Sequence, residues 1–260
     1  MKLQRTLTYI ISAFWCLGAL AQENTTPEEE TNDSVTEYKQ RYGLRVGADL
    51  SRLIQSFADD NYSGLEIVAD YRLNYRWYAA AELGYEEKIT EEDYYTFTTT
   101  GNYIKLGGDY NSYDNWFGME NIISLGFRYG FSTFSQDVSE YTPFPGNPYW
   151  NETASGTTEA ILQEHSGLSA HWLEFVLGMK VELVHNVFLG GSVRLNYMIT
   201  DKAADNFPNL WVPGFNKITD GSSIGMGYNY SLTYLIPLYK KSKSSKKEND
   251  TKEEAPTELN

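Results

Sequence analysis

Between Ala170 and Ile199 hydrophobic and polar residues alternate almost without interruption. Leu173, Phe175, Leu177, Met179, Val181 and Leu183 share one face, and Trp172, Glu174, Val176, Gly178, Lys180 and Glu182 the other. After a turn at 184–186 the return arm sets Val187, Leu189, Val193, Leu195, Tyr197 and Ile199 against Gly190, Ser192, Arg194 and Asn196. A period of two held along both arms predicts a β-hairpin. Each arm exceeds the ~5–6 residues of an average globular strand and reaches the ~9–11 that cross a bilayer at a tilt.

The same pattern recurs at 42–50, 64–73, 77–86, 102–110, 116–131 and 224–238, which brings the expected strands to eight. Short turns are expected near 74–76, 111–115 and 184–186, and long polar connections at 51–63, 87–101, 132–169 and 200–223. An even number of amphipathic strands with alternating short and long connections predicts an all-β fold, a transmembrane antiparallel up-and-down barrel. In such a barrel the short turns are periplasmic, the long loops are extracellular, and both chain ends lie in the periplasm.

Alternation alone does not say which face points outward, because a secreted lipocalin-like barrel alternates too. Two features favour lipid outside. Glycines crowd the polar face (Gly47, Gly64, Gly84, Gly107, Gly118, Gly126, Gly178, Gly190, Gly225, Gly227), as a narrow interior requires. Tyr42, Tyr71, Tyr75, Trp77, Tyr110, Tyr113, Trp116 and Tyr234 gather where strands meet the short turns, at the level of a headgroup girdle.

The chain start agrees with export. Lys2 and Arg5 precede an apolar run that ends in Ala19-Leu20-Ala21, the form of a signal peptide over 1–21. Cys16, the single cysteine, lies inside it in a context unlike a lipoprotein box, so the mature chain is expected to have no thiol chemistry. Segment 22–40 is acidic and polar, and 240–260 is a charged tail; both are expected to be disordered around a barrel at 41–239. The formal charge is −14, and −16 once Lys2 and Arg5 are removed, which argues against a nucleic-acid partner.

The strand pattern, closed by Gly227-Tyr228-Asn229-Tyr230-Ser231-Leu232-Thr233-Tyr234, resembles the small eight-stranded outer-membrane barrels of Gram-negative bacteria. Within them it is most similar to the functionally uncharacterised porin-like families common in the Bacteroidota. The resemblance covers about 41–239 and implies outer-membrane localisation and contact with outer-membrane lipid. Its closing strand resembles the signal read by the barrel-assembly machinery, although the chain continues past Tyr239. It implies no catalytic motif.

Eight strands leave an interior just wide enough for side chains to fill, too narrow for a general pore. Arg45, Asp70, Glu82, Lys105, Glu120 and Lys180, counted from the short-turn end, fall at similar depth, with Arg194 on the same face. They are expected to form a lumenal charge network, because unpaired charges there would be costly. An ion or proton path is the sharper reading of the same residues.

Catalytic signals are weak. Glu164-His165-Ser166 holds a carboxylate, a base and a nucleophile, but sequence neighbours rarely point at one another. His171 falls on the apolar face and His185 in a turn. There is no phosphate-binding glycine loop and no third ligand for zinc. No enzyme activity, cofactor or metal is therefore expected.

The remaining features are two Pro/aromatic loops, one with Tyr141, Phe144, Tyr149 and Trp150, the other with Phe207, Trp211 and Phe215. They either cap the barrel or form a docking surface for another protein of the envelope. The expected function is a non-enzymatic accessory or structural barrel docking on a larger envelope assembly. A stand-alone ligand-binding or adhesion barrel comes next, and a lipid-modifying enzyme using His165 or His171 last.

Overall fold

The structure, a computed structural model, describes residues 39–113, 120–142, 161–204, 207–218 and 222–242. The expected signal peptide, most of 22–40 and the tail beyond Ser242 lie outside these residues, as do Phe144, Tyr149 and Trp150. The elements are β1 (Lys39–Asp49), α1 (Leu50–Ala58), β2 (Tyr62–Arg72), β3 (Trp77–Glu92), β4 (Tyr95–Asn111) and β5 (Ile122–Tyr141). They continue with β6 (Glu164–Val184), β7 (Val187–Lys202), β8 (Trp211–Val212), β9 (Asn216–Lys217) and β10 (Ile224–Ser242).

Eight strands close into an antiparallel barrel in the order β1-β10-β7-β6-β5-β4-β3-β2, while β8 and β9 form a separate small hairpin. The first and last strands meet along Lys39↔Ser242 to Asp49↔Ser231, so the described chain starts and finishes at one end, here called the lower end. The two-residue turn His185-Asn186 joins β6 to β7 there, with Asn186 in the left-handed region that asparagine tolerates (φ 67°).

The polarity of the strands changes along the barrel. In the lower part Leu106, Leu125, Phe127, Phe175, Leu177, Val193 and Leu195 point outward and are exposed, while Arg45, Asp70, Glu82, Lys105, Arg128 and Arg194 are buried inside. An apolar outside around a polar inside is the arrangement of a transmembrane barrel. Trp77 packs edge-on against Tyr110 at 5.2 Å at the lower end of this belt.

Higher up the assignment inverts. On β5 the outward series Leu125, Phe127, Tyr129, Phe131 becomes Thr133, Ser135, Asp137, and the inward series Ser124, Gly126, Arg128 becomes Phe134, Gln136, Val138. On β4, Leu106 and Ile104 give way to Asn102, Thr100 and Thr98 outside, with Tyr103 and Phe97 inside. The upper third is therefore a tower with a water-type outside and its own apolar core. Tyr103, Phe134, Leu168, Ala170, Trp172, Met198, Val212 and Phe215 form its lower layer; Phe97, Val138, Ile161 and Phe207 form the upper one. Glycine is needed where the two regions meet. A Cβ at Gly130 would overlap the Trp172 indole, and one at Gly84 the Tyr103 ring.

The inversion corrects one expectation, and the element bounds correct others. Segment 87–101 is not a long loop: β3 and β4 run through it and turn at Asp93-Tyr94. Segment 51–63 contains α1. β5 begins at Ile122, while 114–119, which hold the expected strand start at 116 and the end of the expected turn at 111–115, lie outside the described residues. The barrel strands also extend past the expected 41–239, to Lys39 and Ser242.

Candidate functional site: the ion-paired lumen and the closed mouth

Inward side chains of the lower barrel pair in tiers. At the lower end Arg41 meets Glu120 through Nε (3.1 Å) and both Glu182 oxygens through Nη2 (2.7 Å each), and donates to Asn186 Oδ1 (2.7 Å). Above it Asp70 takes Arg45 Nε at 2.7 Å and Lys180 Nζ at 2.5 Å. The Arg45 guanidinium also lies over the rings of Tyr78 (4.8 Å) and Phe188 (5.2 Å).

The middle tier is the largest. Glu82 accepts from Arg194 at 2.6 and 3.1 Å and from Arg128 at 3.3 Å, with Lys105 at 3.8 Å. Glu174 pairs with Arg194 at 3.1 Å and Lys105 at 3.2 Å, and takes the Trp172 indole N–H at 2.7 Å. Asp109 accepts both Arg128 amino groups at 2.9 Å. Glu66 lies 3.6 Å from Lys105 and is held by the Tyr103 hydroxyl (2.6 Å) and Asn229 (3.1 Å). All are buried. With three cations among four carboxylates, the Tyr103, Asn229 and Trp172 donors supply the remaining hydrogen bonds a buried carboxylate needs.

The top tier joins wall to plug. Arg52 of α1 forms an ion pair with Glu86 and donates to Tyr62 Oη (3.0 Å) and Asn216 Oδ1 (3.1 Å). Tyr62 donates to Glu86 Oε1 (2.9 Å), and the Gly214 N–H to Glu86 Oε2 (3.0 Å). Gly214 and Asn216 belong to the hairpin of β8 and β9, both at positive φ (83° and 81°). That hairpin inserts into the mouth, where Phe215 packs edge-on against Trp172 at 6.0 Å; just before it in the chain, Phe207 packs edge-on against Phe97 at 5.6 Å.

The six residues expected at similar depth thus divide among tiers, and Arg194, expected on the same face, joins one of them. Arg45, Asp70 and Lys180 meet; Glu82, Lys105 and Arg194 meet; Glu120 belongs with Arg41 below. Arg41, Arg52 and Glu86 complete the arrangement. Arg41 and Glu86 continue the inward parity of Arg45 and Glu82, so strand periodicity could have found them. Arg52 sits on a helix, where a period of two carries no signal.

Of the two readings of the loop aromatics, cap or docking surface, the described ones follow the cap. Phe207 and Phe215 are buried, Trp211 is half-buried, and Tyr141 packs against the upper tower core. These four line the closure of the mouth and present no docking patch, because the tower interior is the nearest apolar surface they can bury. His165 stacks on Phe207 at 6.2 Å and spends Nε2 on the Ile161 carbonyl (3.2 Å). His171 faces outward, its Nδ1 2.7 Å from the Tyr129 hydroxyl.

Two small cavities lie among the described side chains. A cavity of about 40 Å³ lies between the Lys180 and Arg194 tiers, lined by Ser124, Gly178, Gly190, Ser192, Asn229 and Ser231, and a second of about 10 Å³ lies beside Arg72 and Glu120. The first has room for a few waters, the second for roughly one. Neither is a channel.

A family profile described as a domain of unknown function, DUF6048, matches residues 6–241. The chain belongs to the DUF6048 family. None of the curated proteins matches it. Among solved structures, the attachment invasion locus protein Ail of Yersinia pestis is similar at a TM-score of 0.37 and 10% identity, over 76% of this chain and 99% of that one. The DUF6048 barrel shares with Ail only that distant likeness.

Proposed function

We propose that this DUF6048 protein is an outer-membrane barrel that passes nothing through its lumen and acts by binding at its exposed ends. The observation that carries this reading is the closure: three tiers of buried ion pairs, a fourth that fastens a hairpin plug, and an apolar tower core above. Both termini are periplasmic in this reading, since β1 and β10 meet at the lower end with the apolar belt above them. The role is non-enzymatic. His165 and His171 are committed to ring packing and to a carbonyl or a tyrosine hydroxyl.

The tower is the surface that binds. Its exposed residues include Glu91, Asp93, Asp137, Glu140 and Glu164, against few exposed cations such as Lys202 and Lys217. A partner with a basic patch, in a larger envelope assembly, fits such a surface. The projecting β3–β4 hairpin also suits a stand-alone adhesion barrel, which is the second reading.

Mild-detergent affinity purification tests the choice. The wild-type protein is expected to bring down a stoichiometric envelope protein, and Glu91→Lys, Asp93→Lys, Asp137→Lys and Glu140→Lys together are expected to release it without loss of the folded gel band. The same preparation is expected to show no unit conductance in planar bilayers. A solitary barrel, or one with stable conductance steps, contradicts the accessory reading.

A further inference from the structure

The barrel wall is not strand all the way round. β1 pairs with β10 only as far as Asp49↔Ser231, and with β2 only as far as Ala48↔Ile67. β10 runs on upward from Tyr230 to Ile224, and β2 from Glu66 to Tyr62, with no strand of β1 between them. α1 fills that gap and packs on both β2 and β10.

The helix is placed with its polar side in. Asp49 caps it, accepting from the Ser51 N–H at 2.7 Å. Arg52 reaches the lumen, as described above. The Ser56 hydroxyl lies 2.8 Å from the Gly64 N–H and 3.3 Å from the Gly64 carbonyl, taking the place of a neighbouring strand at the edge of β2. The opposite face carries Leu50, Leu53, Ile54 and Phe57, at the spacing of one helical stripe. Ile54 is 62% exposed and Phe57 90%. A helix surrounded by water would turn that stripe inward.

The exposed stripe is continuous with the apolar belt. Its flanks are Leu65 on β2 and Met226, Tyr228 and Tyr230 on β10, all exposed. Polar residues begin just beyond the helix, where Asp59 pairs with Lys88 at 2.7 Å. That hydrogen bond holds the Asp59 carboxyl below the usual carboxylate range. A gap in a wall facing hydrocarbon can be filled only by an element whose backbone bonds are internal, and a helix meets that condition.

We propose that α1 is a lipid-facing part of the wall and that Ile54 and Phe57 insert among acyl chains of the outer leaflet, as amphipathic helices do at the headgroup–acyl boundary. The inference rests on the membrane-barrel reading given above. Because Arg52 on the same helix bonds Asn216 of the plug, it makes α1 the direct link between lipid and plug.

The test places a fluorophore on single cysteines in the full chain with Cys16→Ser, reconstituted in phosphatidylcholine vesicles that contain a doxyl-labelled phospholipid. Phe57→Cys and Ile54→Cys are expected to match the belt variant Leu195→Cys: several-fold more quenching by doxyl lipid, and less by aqueous iodide, than Lys217→Cys. Quenching at 54 and 57 like that at 217, with 195 still lipid-quenched, overturns the proposal and leaves the barrel reading intact. Protection of 54 and 57 from both quenchers points to a protein cover and also overturns it. Iodide quenching at 195 as well removes the membrane reading itself.

Discussion

Glu82→Gln is expected to cost the barrel about 3–5 kcal/mol, the range for removing one partner from a buried charge cluster. Glu82 is the carboxylate that Arg128, Arg194 and Lys105 share, at 3.3, 2.6 and 3.8 Å. Glutamine keeps the shape and removes the charge, so the loss reads electrostatics and not packing. Against a typical total of about 5–15 kcal/mol, that is a large share. The urea midpoint in detergent and the heat-modified gel shift report it. Adding Arg194→Gln is expected to recover part of the loss by removing one stranded cation, a non-additivity that marks direct coupling. Glu92→Gln, whose partner Lys217 is exposed at 3.4 Å, is the control and is expected to change stability by less than about 1 kcal/mol.

Trp172→Ala is the other large effect expected, about 3–5 kcal/mol for emptying a buried indole site. Trp172 is fully buried where the lumen changes from ionic to apolar. Its indole N–H serves Glu174 below, and its ring seats Phe215 above. The variant therefore strikes the plug first. Limited proteolysis is expected to cut within 203–218 in Trp172→Ala and not in the wild type, while the lower belt keeps its gel shift. Simultaneous loss of both would mean that tower and belt fold as one unit.

The lower barrel was legible because lipid and lumen impose one rule on every strand, and Leu173 to Leu183 or Leu125 to Phe131 display it plainly. The tower was not, because the rule reverses there. Thr98, Thr100 and Asp137 fall on the outward face that Ile104 and Phe127 occupy lower down, so a search for apolar residues in fixed phase stops at the boundary. The signal was present as a shift of phase: Phe97, Phe134 and Val138 still alternate, on the opposite face. α1 was hidden for another reason. Leu50, Leu53, Ile54 and Phe57 repeat at helical spacing within a short segment, and a period of two dissolves them into a polar loop. Among the lumenal charges, parity gave the face but not the pairing. Barrel curvature and strand register decide which carboxylate each cation meets, and those emerge only when the strands close.

The central claim is that one β-strand passes from lipid to water at about Phe131, with its inside and outside exchanging character there. Single cysteines at Leu125, Phe127, Tyr129, Thr133, Ser135 and Asp137, treated on intact cells with a membrane-impermeant maleimide, test it along β5 alone. Positions 125, 127 and 129 are expected to be protected and 133, 135 and 137 to be labelled. Uniform labelling across all six positions, or labelling at 125–129 alone, would contradict it.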